Sequence, residues 1–130
     1  MGNVAIDIKD ILVDEGVGVF GIDLFVGSKP GDGTIDACVV VFPSGGSDPE
    51  PDYDYERPRV QVYIRGPKED YETPAAKTEA VKAALKSKTN ITKNGMRYVC
   101  IWQEGDVIHL GMDEDGRHQF TVNFRIHRTT

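Results

Sequence analysis

Three histidines, His109, His118 and His127, recur nine residues apart and are the first candidates for metal or acid–base chemistry. A zinc site needs donors converging on one point, yet the chain offers neither an H-E-x-x-H pair nor a C-x-x-C. The spacing suits ordinary strand residues better. Asp113-Glu114-Asp115-Gly116 looks like a fragment of a calcium loop, but the alternating acids and terminal Glu of an EF-hand are missing, and a hairpin turn accounts for it. Asp52-Tyr53-Asp54-Tyr55-Glu56 could hold a divalent ion only adventitiously, without a fixed backbone behind it. Cys38 and Cys100 stand 62 residues apart in apolar runs. They read as buried small hydrophobes, with a disulfide or a reactive thiol as the alternatives. No G-x-S-x-G, P-loop or G-x-G-x-x-G occurs. Asn90-Ile91-Thr92 matches a glycosylation acceptor, with nothing else to suggest secretion. Catalytic residues, cofactors and metals are therefore not expected, and an interaction protein is favoured over an enzyme.

What must position any functional group is one domain over residues 1–130. The chain has a mass of 14.4 kDa, a formal charge of −6 and a mean hydropathy of −0.36. Surface scaling at this mass leaves about two thirds of the extended surface buried, enough for one core. No apolar run approaches the roughly 20 residues that span a bilayer. The N-terminus lacks a basic region followed by an apolar stretch, and Ile6 stands where a myristoylation motif needs Ser or Thr. An intracellular, membrane-free protein is expected. Residues 1–58 carry 12 acids and 3 bases, a segment charge of −9, whereas residues 59–130 carry 9 acids and 12 bases, a charge of +3. Opposite charges on two faces suit a head-to-tail contact between copies. An acidic chain without a basic stripe argues against gripping nucleic acid by its phosphates, but leaves open DNA that merely slides past.

Periodicity sets out the elements. Val4, Ala5, Ile8, Ile11 and Leu12 form the stripe of a helix, capped by Asn3 and ended at Gly16. A short strand over 22–26 follows, then a break over 27–33. Ala37–Phe42, apolar throughout, is a central strand covered on both faces. Pro43–Pro58, with four prolines, two glycines and five acids, reads as a long, acidic, mobile loop. Arg59–Arg65 alternates, with Val60, Val62 and Ile64 on one face and Arg59, Gln61, Tyr63 and Arg65 on the other. A second helix begins at Thr73-Pro74 and buries Ala76, Ala80, Val81, Ala84 and Leu85. Three strands over 96–103, 107–112 and 119–127 complete a meander, with Asn94-Gly95 a tight turn before it and Glu104-Gly105-Asp106 a turn within it. The expected fold is α+β: a single mixed, mostly antiparallel sheet with two helices packed on one face and a long acidic loop.

Taken in order, Asp23-Leu24-Phe25-Val26-Gly27, Val60-Gln61-Val62-Tyr63-Ile64-Arg65-Gly66, Ala80-Val81-Lys82-Ala83-Ala84-Leu85, Trp102-Gln103-Glu104-Gly105-Asp106, Leu110–Arg117 and Phe120–Arg125 resemble the tail terminator (minor capsid) proteins of tailed bacteriophages and prophages. The resemblance implies a non-enzymatic ring, usually of six subunits, assembled in the host cytoplasm. In the virion it caps the head-proximal end of the tail tube, stops tube polymerisation and presents a docking face to the head connector. Its partners would be other copies of itself, the tail tube protein and the connector, with DNA passing through unbound and no membrane involved. Another head–tail joining protein, a connector or stopper, is the nearest alternative. A small ligand-binding α+β domain is the alternative from a different class. Tyr53 and Tyr55 are large amphipathic anchors of the kind enriched at interfaces, and Arg59, Tyr63 and Arg65 would extend that contact to a neighbour or the tube. Asp48, Glu50, Asp52 and Asp54 are candidates for lining the channel, where carboxylates repel phosphates.

Overall fold

The computed structural model describes residues 2–31, 35–86 and 88–130. Met1 and the Asp32-Gly33 part of the expected break lie outside the described residues. The elements run α1 (Val4–Asp14), β1 (Leu24–Val26), β2 (Cys38–Ser47), β3 (Tyr55–Lys68), α2 (Glu72–Leu85), β4 (Lys88–Lys93), β5 (Met96–Met112) and β6 (Arg117–Thr129). The strands form one sheet in the order β1-β2-β3-β6-β5-β4, curled as a half-barrel. β1 pairs parallel with β2, and the other pairings are antiparallel. One register row crosses five strands through Leu24, Val39, Ile64, Phe120 and His109. Among the described residues no helix is long and apolar enough to cross a membrane.

Local chemistry explains the ends of α1. Asn3 Oδ1 accepts from the backbone N–H of Ala5 at 2.9 Å and of Ile6 at 3.2 Å. At the other end Gly16 takes φ +75°, and the Gly16 and Val17 N–H groups bond back to Val13 and Leu12, the Schellman closure. The second helix departs from expectation at its start. It begins at Glu72, and the Asp70 carboxylate, not Thr73, satisfies its first turn by accepting from the Thr73 N–H at 3.0 Å and hydroxyl at 2.6 Å. Its buried face is also rotated: Pro74, Thr78, Val81, Ala84 and Leu85 point inward, while Ala76 and Ala80 are exposed. An alanine-rich helix has little apolar asymmetry to set its rotation, so the larger Val81 and Leu85 decide it.

The long loop is shorter than expected. β2 and β3 continue as a hairpin through Pro43–Ser47 and Tyr55–Pro58, leaving only residues 48–54 between them. Pro43 is tolerated because β1 pairs only as far as Val41, so β2 is an edge strand there. A bulge between Pro43 and Gly46 takes up one extra residue, and Gly46 is needed: a Cβ there would lie 2.4 Å from the Arg57 carbonyl oxygen. The meander is also different. Glu104-Gly105-Asp106 is not a turn but a bulge inside one long β5, whose halves both pair with β6. Its third member is the unexpected β4, which carries the one apolar residue Ile91 and is held by pairing across the Asn94-Gly95 turn. The first strand shrinks to Leu24–Val26.

Both helices pack on one face of the sheet, over Val39, Val41, Val60, Val62, Ile64, Phe120, Val122, Phe124 and Ile126. Under α1 lies a buried polar group. Asp7 accepts from the Tyr98 hydroxyl and from Asn94 Nδ2 at 2.6 Å, while the Arg128 guanidinium lies 3.7 Å from Asp7 and bonds Glu56 at 2.7 Å. Burial, followed by the bond to Asp7, holds the Tyr98 phenol well above its ordinary value.

Candidate interaction surfaces

Because Val60, Val62, Ile64, Phe124 and Ile126 fill the helix-covered face, their alternates on β3 and β6 point to the other. Part of that outer face is itself covered. Cys38, Val40 and Tyr63 are buried there beside Phe25, Ile35 and Phe42. Tyr63, only 3% exposed, donates its hydroxyl to Gln119 Oε1 at 2.6 Å and lies under the Lys29 ammonium, 4.1 Å from the ring centroid. Arg65, 7% exposed, donates to the carbonyls of Asp36 at 2.7 Å and Ile35 at 3.0 Å. These two residues therefore sit inside the subunit, apart from Tyr53, Tyr55 and Arg59. Alternation says which face a side chain joins, not whether a later segment covers it.

The uncovered part of the face carries an aromatic ladder. Tyr53, 62% exposed, meets Tyr55 edge-on with centroids 6.4 Å apart. Tyr55 meets His127 at 5.5 Å, and His127 meets Trp102 at 5.0 Å. The Tyr55 hydroxyl and His127 Nδ1 are 2.9 Å apart. Partial burial, then the nearby Arg57 and Arg125, keep the His127 pKa below its ordinary value. Arginines flank the ladder. Arg57 lies 5.0 Å from the Tyr55 centroid and pairs with Glu50 at 2.9 Å. Arg59 stands in register with Arg125, and that in turn with Trp102; both arginines bind Glu104, Arg59 at 3.4 Å. Sequence reading did not single out Trp102, since the bulge between Tyr98 and Cys100 hides which face β5 residues join, and it weighed His127 only for metal or acid–base chemistry rather than as part of an interface.

The four hairpin acids are not equivalent. Glu50 is held by Arg57, and Asp54 receives the hydroxyls of Thr129 and Thr130 on its backbone and carboxylate oxygens. Asp48 and Asp52 are exposed and make no ion pair among the described residues.

The remaining candidates resolve into structure. His109 Nε2 and His118 Nδ1 lie 3.0 Å apart in stacked rings, packed beside Tyr71 and Phe120, while His127 is elsewhere in the ladder. Among the described residues no three His, Cys, Asp or Glu side chains converge as a metal site would require. Asp113 closes the β5–β6 turn, accepting from the Asp115 and Arg117 N–H groups at 3.0 Å and from Arg117 Nε at 2.8 Å. Both cysteines are free, and burial pushes both thiols up, away from the reactive thiolate. An exposed cluster of Tyr, Trp and Arg has the composition of a protein-binding surface rather than of a reaction centre.

Residues 11–130 match the family model described as "Bacteriophage tail terminator protein". No protein of curated function matches the chain. Among solved structures, a chain from the virion of a native gene transfer agent particle superimposes with a TM-score of 0.74 at 12% identity, over 98% of this chain and 95% of that one. A second solved chain gives a TM-score of 0.56 at 14% identity over 93% and 91% of the two. At these identities the likeness is one of fold.

Proposed function

Since the chain belongs to the bacteriophage tail terminator family, a family of virion structural proteins, we propose that its subunits close into a ring, a hexamer, at the head-proximal end of the tail tube. There it stops tube polymerisation and offers the head connector its docking face. The observation that carries this reading is the ladder of Tyr53, Tyr55, His127 and Trp102 with its flanking arginines. It is an amphipathic surface that no helix covers, and the tail tube is the partner assigned to it in this reading. Arg59 belongs to that contact directly, whereas Tyr63 and Arg65, buried on Gln119, Ile35 and Asp36, lie outside it. Free subunits are expected to associate weakly, because binding to the tube end raises their local concentration.

Electron microscopy of particles lacking the protein tests the reading: overlong tails unattached to heads are expected. DNA-filled heads that leak, on tails of normal length, would instead identify a connector or stopper. Lining of the channel by the hairpin acids has its own test. Replacing Asp48, Glu50, Asp52 and Asp54 with Lys is expected to create DNA affinity and slow genome release. Unchanged retention and ejection would remove these residues from the channel wall.

A further inference from the structure

Eleven large apolar side chains are exposed among the described residues, and their placement is uneven. Val19, Phe20 and Ile22 form a knob on the turn before β1, where Phe20 bridges to Leu24 and the Lys9 ammonium lies 4.3 Å from the Phe20 centroid. Ile108, Leu110 and Met112 are exposed along the distal half of β5, where the bulge between His109 and Gly111 sets Ile108 beside Thr121 on the outer face and Met112 beside His118 on the helix-covered face, the side on which Tyr71 packs. That half is an open edge, because β4 pairs with β5 only from Met96 to Ile101. The knob and the edge stand at opposite ends of the same register row, Leu24 to His109, separated by four strand spacings or about 19 Å of sheet. Scattered single hydrophobes need no explanation; an apolar turn on one edge and an unpaired strand edge bordered by apolar side chains at the same level on the other do.

We propose that the knob of Val19, Phe20 and Ile22 docks on the open β5 edge of Ile108, Leu110 and Met112 of a second copy of this chain. Rotating one copy onto the next through two different patches is a heterologous contact, which makes a ring when the rotation closes and then covers both of these patches in every copy. It also covers an unpaired strand edge that a free subunit would expose. Side-by-side joining of the edges leaves the ends of the strands, and with them the 48–54 and 113–116 turns, to the two rims of the ring. The inference rests on the ring reading above but adds the lateral contact, which neither the family nor the ladder specifies.

The test uses two full-length variants. One carries Val19→Ser, Phe20→Ser and Ile22→Ser; the other carries Ile108→Lys, Leu110→Lys and Met112→Lys. Since these side chains are exposed, both variants are expected to melt with the wild type; the single changes Phe20→Ser and Leu110→Lys replace any that does not. Native mass spectrometry, with and without tail tubes, then reads assembly. Each variant alone is expected to lose the ring, its subunit contact weakened by about tenfold or more. Mixed one to one, they retain one intact knob and one intact edge between them, and are expected to give a heterodimer and nothing larger. Rings formed by either variant as readily as by the wild type would overturn this contact while leaving the ring reading in place. A mixture that stays monomeric where the wild type assembles would do the same. A wild-type chain that forms no ring at any concentration or on any tube would overturn both.

Discussion

At one end of the sheet, neighbouring residues on the same strands build two clusters from similar ingredients on opposite faces. Glu56 and Arg128 join Asp7 and Tyr98 beneath α1, whereas Tyr55 and His127, one position before each, join Tyr53 and Trp102 on the open face. The pleat alone separates them. Beneath the helix the Asp7 and Arg128 charges are paired and almost wholly buried, so each depends on its partner. On the open face the same kinds of side chain are exposed or half-buried, with no helix over them. Role follows from cover rather than from residue type.

The comparison breaks most visibly on the buried side. Arg128→Met leaves the Asp7 carboxylate, 2% exposed, without its cation, and a loss of about 3–5 kcal/mol of unfolding free energy is expected in a urea titration. Adding Asp7→Leu should recover much of it, because the uncompensated charge goes too. A single variant that loses less than about 1 kcal/mol would mean that water reaches the cluster.

On the open side the expected effect moves from folding to binding. Tyr53→Ala and Tyr55→Ala should each weaken docking to tail tubes by about 1–2 kcal/mol, read by tube sedimentation, with Tyr53→Ala leaving the melting temperature where it was. Equal tube affinity in the double variant would leave the ladder without a partner.

The smallest effect sharpens the contrast through pH. His127 has a folded pKa depressed below its ordinary value near 6.5, so the unfolded chain binds its proton first as pH falls. Its contribution is therefore complete above pH 6.5 and declines as pH drops toward the folded pKa. Comparing wild type with His127→Gln between pH 7.5 and 5 isolates this slope. Identical pH profiles would show that the ladder is as solvated when folded as when unfolded.

How much of this was legible depends on how local each signal is. Asn3 and Gly16 mark the ends of α1 because capping involves only residues a few positions away. Alternation in Val60, Val62 and Ile64 and in Phe120, Val122, Phe124 and Ile126 identifies the core face because a strand's period is set by its own backbone. Lys88–Lys93 has almost no such signal, and becomes a strand only because β5 offers it a ladder of hydrogen bonds. Glycine and acids at 104–106 mark an interruption without saying whether the chain turns back or bulges onward; pairing of both halves with β6 decides it.

From the sequence alone came an α+β chain with an acidic first half and the resemblance to tail terminators. These are properties of composition, period and motif order, which survive without knowing any long-range contact. Only the tertiary structure decided that Arg65 bonds the Ile35 and Asp36 carbonyls and Tyr63 packs beside Ile35, that Trp102 and His127 join Tyr55, and that an apolar turn and an open apolar strand edge end the same register row of the sheet. Exposure and adjacency depend on which distant segments come to cover a face, and strand order and bulges settle that only once the whole sheet has formed.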